Sequence, residues 1–316
     1  MKRACFVLVL FFMTGLVLAG GTAPALLTAT GTVTEADAGS VSLLTQQRSG
    51  LEQQNEDYAT ARSRFKTKLI RKGPAPQKFQ ALRRPADATE VEYLSGKLRL
   101  KAWINRPAKE DGKKLPAVLF LHGGFAFDEG DWEMPKPYRD AGYVTLTPIL
   151  RGENGQPGIF TLFYEELEDV LAAVDFLAGQ PYVDPKRLYV AGHSVGGTMT
   201  LLAALASDRF QAAAAFSGSP DQTEWIKGVD EAEIVFDRSD PREFVLRSPL
   251  AYATRFKCPV RLYYGTQEDW ADAPSRRTAL LAKEKRLDVA AVRVPGDHRS
   301  HVPEAIKQSI EFFRKH

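Results

Sequence analysis

Residues 187–207 read RLYVAGHSVGGTMTLLAALAS, and this stretch decides the fold. A short apolar run turns sharply into a helix-favouring run, and Gly192, Ser194 and Gly196 stand at the junction in the pattern G-x-S-x-G. That context is what the motif requires, because the serine sits in a strained strand-to-helix turn that lifts its hydroxyl above a sheet. Glycines two residues to either side remove the Cβ atoms that would clash in so tight a turn. A bare G-x-S-x-G arises often by chance, but one flanked by RLYV and TMTLLAAL does not. Ser194 is the candidate nucleophile.

Outward from this elbow the chain alternates strands and helices. VEYLSGKLRLKAWI (91–104) predicts two strands joined at Ser95-Gly96. LPAVLFLHGG (115–124), YVTLTPILRG (143–152), FQAAAAFSG (210–218), CPVRLYYG (258–265) and VAAVRVPG (289–296) predict further buried strands. In YEELEDVLAAVDFLAG (164–179), Leu167, Val170, Leu171, Val174 and Leu177 share one helical face, and Gly179 stops the helix. The last helix, PEAIKQSIEFFRKH, turns Ile306, Ile310 and Phe313 inward. The alternation predicts an α/β fold with a mostly parallel sheet, helices on both faces and an antiparallel N-terminal edge.

A serine nucleophile needs a base, an orienting acid and donors for the oxyanion. His122, Gly123 and Gly124 close an early strand. The loop there predicts one donor, from Gly124 or Phe125, and the residue after the nucleophile, Val195, supplies the other. His122 is expected to shape that loop. The acid should follow the next-to-last strand, where YYGTQEDWADAP presents Glu268 and Asp269. Asp269 is preferred, since aspartate is the commoner orienter, and Asp272 is read as the cap of the following helix. Of five histidines, His122 and His193 precede the acid and His316 ends the chain. Between His298 and His301, the former is nearer the last strand and is taken as the base. His301, just before Pro303, is read as a neighbour that positions the loop or starts the last helix. Two histidines alone do not make a closed zinc site, and no other metal motif accompanies them, so neither a metal nor an organic cofactor is expected.

With these parts in this order the chain resembles the α/β-hydrolases. Over roughly 86–316 it is similar to the catalytic domain of the prolyl oligopeptidase family and to dienelactone-hydrolase-like esterases. The likeness rests on FLHGG, LRGENGQPG, VDPKRLYVAGHSVGG, RSPLAYATRFKCPVRLYYGTQED and VPGDHRSH. It implies a serine hydrolase working through an acyl-enzyme. In that family the acid is commonly an aspartate three residues after the strand-end glycine, where this chain has Glu268, with Asp269 next. The family also places a β-propeller ahead of the catalytic domain to restrict access. Residues 1–85 leave no room for one, so a small carboxylic ester is expected ahead of a peptide. A peptidase whose N-terminal extension replaces the gate, and a silent binding protein on the same fold, are the alternatives. The segment between the sixth strand and the acid strand is expected to wall the substrate with Trp225 and Phe236.

The N-terminus is separate in character. MKRACFVLVLFFMTGLVLAGG has a basic start, an uncharged apolar run and small residues, the layout of a signal peptide or N-terminal anchor over 1–20. Export to a periplasmic or extracellular space is expected, with membrane attachment if the segment is not cleaved. Residues 21–85 are expected to form a linker and a helical extension, with SGLEQQNEDYATARSRFKTKLIRK (49–72) as its helix. Beyond Cys5 the only cysteine is Cys258, so no internal disulfide is available to the exported chain, and Cys258 is read as a small buried hydrophobe. The net charge is +3 with no basic stripe interleaved with aromatics, which speaks against nucleic acid as a partner.

Overall fold

In the computed structural model, residues 51–106 and 112–316 are described. The expected signal segment and most of the linker lie outside these residues. Eight strands form one sheet in the order β1-β2-β4-β3-β5-β6-β7-β8. β1 (Thr89–Ser95) and β2 (Leu98–Ile104) are the expected hairpin, and β2 runs antiparallel to β4 (Val144–Pro148). From β4 onward every pairing is parallel, through β3 (Leu115–Leu121), β5 (Val183–His193), β6 (Ala212–Phe216), β7 (Val260–Gly265) and β8 (Val289–Val294). The chain has the α/β-hydrolase fold, with its antiparallel edge at the N-terminal side.

β3, β4, β6 and β7 are buried at nearly every position because both faces are covered, whereas the edge strand β1 turns Glu90 and Glu92 outward. Ala117, Leu119 and Leu121 of β3 join one core with the helix Glu166–Ala178 and the central helix Val195–Ala206. Val118 and Phe120, pointing the other way, join a second core closed by the last helix, Val302–Phe313. Cys258 is a free, buried thiol whose pKa burial pushes up to about 12, as a small hydrophobe would require.

The N-terminal extension differs from its expected form. Among its described residues, 51–85, only Tyr58–Ser63 is helical, capped by the Asp57 side chain. Beyond it the chain is drawn out by tertiary bonds that a helix would forbid. Thr67 Oγ1 and the Lys68 amide donate to Glu243 at 2.8 and 2.6 Å, and Leu69 pairs with Phe236 in an isolated antiparallel bridge. Glu243 is ion-paired to the fully buried Arg247, which also donates to Thr161 O at 2.9 Å and Leu162 O at 2.6 Å. One buried ion pair thus ties the extension to a turn in which Leu162 and Phe163 hold φ of +53° and +69°. Such non-glycine conformations persist only where surroundings over-determine them. Among the described residues no helix is long and apolar enough to cross a membrane.

Candidate active site

The elbow between β5 and the central helix shows why its glycines are needed. A Cβ on Gly192 would lie 2.4 Å from Gly196 O, and one on Gly196 would lie 2.0 Å from Leu121 O. Ser194 adopts φ +57° and ψ −116°, with its amide donating to Phe216 O at 2.8 Å. It opens onto a cavity of about 290 Å³ that His298, Phe163, Trp225 and Trp270 also line.

The loop after β8 carries His298, whose Nδ1 stands 2.6 Å from Glu268 Oε1. The other oxygen of Glu268 accepts from Ser217 Oγ and from the Gly265 amide, both at 2.6 Å. Glu268 is only 3% exposed, and burial alone would raise its pKa. Bonds from His298, Ser217 and Gly265 outweigh that and hold the carboxyl below its usual value. The preference for Asp269 is corrected here. Asp269 is exposed and begins the helix Asp269–Glu284, whereas the tight turn after Gly265 folds Glu268 back beneath His298. Asp272 is not the helix cap either, because the helix starts earlier and Asp272 accepts the Tyr264 hydroxyl at 2.8 Å.

The remaining histidines surround this pair. His301 is fully buried, bonds Asp297 O through Nδ1 at 2.7 Å and sits 3.3 Å from Ser217 Oγ; burial lowers its pKa. His193 packs its ring 4.7 Å from that of His298, and its Nε2–H donates to His298 O at 2.8 Å. Burial lowers its pKa to about 4 despite that bond, so it is neutral near pH 7. Among the described residues no group of three or more His, Cys, Asp or Glu is placed to hold a metal ion.

The oxyanion loop is braced from below. His122 meets Glu153 Oε2 at 2.9 Å and its own loop's Gly123 O at 3.0 Å. Burial opposes protonation of His122, but Glu153 overrides it and carries the pKa to about 10. Arg151, from the same turn as Glu153, holds the buried Asp169 through two nitrogens at 2.9 and 2.7 Å. The Phe125 amide is taken by Gln77 Oε1 at 2.8 Å, so of the two residues proposed for this donor Gly124 is the one left open. Trp225 meets Phe163 edge-on at 5.4 Å on the cavity wall. Phe236 does not reach it: only 1% exposed, it lies under the Arg247 guanidinium and against Phe244. Sequence reasoning missed Ser217, Phe163, Trp270 and Gln77. Ser217 ends a strand beside the acid strand and Trp270 follows the carboxylate pair, signals that position alone offered; Phe163 and Gln77 carried none.

Fold and elbow together are those of an α/β-hydrolase with a serine at its nucleophile position. A sequence profile of the prolyl oligopeptidase family matches residues 132–305, more than half of the 316, and the chain belongs to that family. It is 27% identical over 231 residues to the uncharacterized peptidase YuxL of Bacillus subtilis, covering 65% of this chain and 34% of that protein. It is also 27% identical over 191 residues to the uncharacterized peptidase YtmA of the same organism, covering 56% and 71%. This chain therefore spans about a third of the length of the first relative. The fold matches that of Pyrococcus horikoshii acylaminoacyl peptidase with a TM-score of 0.61 at 24% identity, over 72% of this chain and 41% of that one.

Proposed function

We propose that the protein cleaves peptide or acyl-amide bonds through an acyl-enzyme on Ser194. In this reading His298 takes the serine proton through Nε2 and returns it to the leaving amine. Glu268 fixes the tautomer and steadies the imidazolium that forms. The amides of Val195 and Gly124 hold the tetrahedral oxyanion, and water then releases the acyl group. The observation that carries it is the 2.6 Å contact of His298 Nδ1 with Glu268 Oε1 beside a cavity that Ser194 also lines. That contact engages the nitrogen opposite the one a base must use.

A peptide substrate gains support from the family and from the two relatives named as peptidases, against the ester expected from the sequence. Phe163, Trp225 and Trp270 on the cavity wall favour a bulky apolar group next to the scissile bond. We further propose export, on the basic-then-apolar layout of residues 1–20. Labelling with a fluorophosphonate probe tests the nucleophile: an adduct on Ser194 is expected, and none would end the reading. Parallel assays with aminoacyl p-nitroanilides and p-nitrophenyl acyl esters test the substrate. Ester turnover with no amide turnover would return the assignment to an esterase.

A further inference from the structure

The N-terminal extension does more than wrap the catalytic domain. Between Gly73 and Gln77 it runs beside the turn that follows β4, held by two backbone bonds. Phe160 N–H donates to Gly73 O at 3.0 Å, and Ala75 N–H donates to Gly152 O at 2.9 Å. These fix the strap lengthwise and deliver Gln77 to the tip of the oxyanion loop, where Gln77 Oε1 accepts the Phe125 amide at 2.8 Å. The two partners are fitted to each other. Gly124 has φ +69°, and a Cβ there would lie 2.6 Å from that same oxygen. The Phe125 ring is meanwhile buried against Phe160 and Phe163, with centroids 5.0 and 6.3 Å away. Phe125 is thus held at its side chain by the core and at its amide by the strap.

We propose that Gln77 is a positioning residue of the oxyanion hole, supplied by the segment ahead of the catalytic domain. Gly124 is the pivot of this loop, and a glycine at positive φ has neighbouring backbone basins close at hand. By binding the Phe125 amide, Gln77 fixes the peptide plane that follows Gly124. His122 Nδ1 meets Gly123 O, in the plane that carries the Gly124 N–H, at 3.0 Å; with the planes on both sides of Gly124 fixed, its amide is already aimed where negative charge will develop, with no reorganisation during the reaction. The inference rests on the reading of Val195 and Gly124 as the oxyanion donors. It also gives the extension a part in chemistry beyond its packing on the catalytic domain.

The test compares the full chain with Gln77→Met, which keeps the length of the side chain and removes the acceptor. Lys78→Met, on the neighbouring exposed position, serves as control. An oxyanion donor acts mainly in the transition state, so Gln77→Met should lower kcat about tenfold and leave KM within about twofold. Its fluorophosphonate labelling rate should fall in parallel, with Tm lowered by a few degrees at most, the cost of one Phe125 amide left without its acceptor. Lys78→Met should match the wild type. A Gln77→Met enzyme with wild-type kcat and labelling rate would overturn the proposal. So would one with raised kcat, since Gln77 would then be blocking the hole rather than shaping it. Absence of any Ser194 adduct in the wild type is a different result, which would remove the underlying reading and this inference with it.

Discussion

Oε1 of Glu268 meets Nδ1 of His298 at 2.6 Å, while Asp269, next along the chain, is exposed at the start of a helix. An orienting carboxylate matters because it selects the tautomer that leaves Nε2 free to take a proton. A glutamate carries one more rotatable bond than an aspartate, and Ser217 and Gly265 remove that freedom by holding its second oxygen. Glu268→Gln should therefore lower kcat by about 10³- to 10⁴-fold with little change in KM, the scale seen when a triad acid is made neutral. Asp269→Asn should stay within about twofold on p-nitroanilide substrates. A larger loss in the second variant would return the orienting role to Asp269.

The two histidines of the GDHRSH loop should separate by measurement. His298 lines the cavity and faces the acid, whereas His301 is fully buried behind it with Nδ1 on Asp297 O. His298→Ala should lower kcat by about 10³-fold or more and slow labelling of Ser194, with Tm nearly unchanged. His301→Ala should keep more of its turnover but lose about 1–3 kcal/mol of stability, since it opens a void where a fully buried ring stood and removes that ring's bond to Asp297 O. Equal loss of kcat in both variants at unchanged stability would contradict this division.

Two apolar residues of the segment before β7 have parted company, and their truncations should too. Trp225→Ala removes cavity wall and should raise KM for substrates with an aromatic group beside the scissile bond about five- to tenfold. Phe236→Ala removes a ring packed under Arg247 and should cost about 3–5 kcal/mol in urea unfolding without changing KM. Steady-state kinetics beside equilibrium unfolding tells the two apart.

The fold was legible because each signal was local. Gly192 and Gly196 mark an elbow that only glycine permits, and the apolar runs of the strands announce a sheet covered on both faces. The site was legible in part. Chain order points to Ser194, to the turn after Gly265 and to the loop after β8, because backbone position settles all three. The choice of Glu268 over Asp269 depends on one turn's geometry, and frequencies of residue types in other triads carry no information about it. The extension misled for a related reason: residues 64–72 favour a helix, but Glu243 and Phe236 offer partners that only an extended chain can reach. Gln77 was invisible because its partner is a backbone amide 48 residues away.

His193 gives the site a pH signature in stability. Its folded pKa, lowered by burial to about 4, lies below the ordinary histidine value of about 6.5. A depressed folded pKa means that the unfolded chain takes up the proton first as pH falls. The stabilisation is therefore full above pH about 6.5 and is lost progressively down to about 4, a displacement worth about 3 kcal/mol. His122 works in the opposite window, since Glu153 raises its folded pKa to about 10 and its contribution fades only as pH climbs from about 6.5. Between pH 7 and pH 4.5 the wild type should thus lose more stability in urea unfolding than His193→Gln does, because glutamine carries no titrating proton yet keeps an N–H for His298 O. A variant that loses as much stability as the wild type over that interval would show that His193 does not carry the acid-side slope.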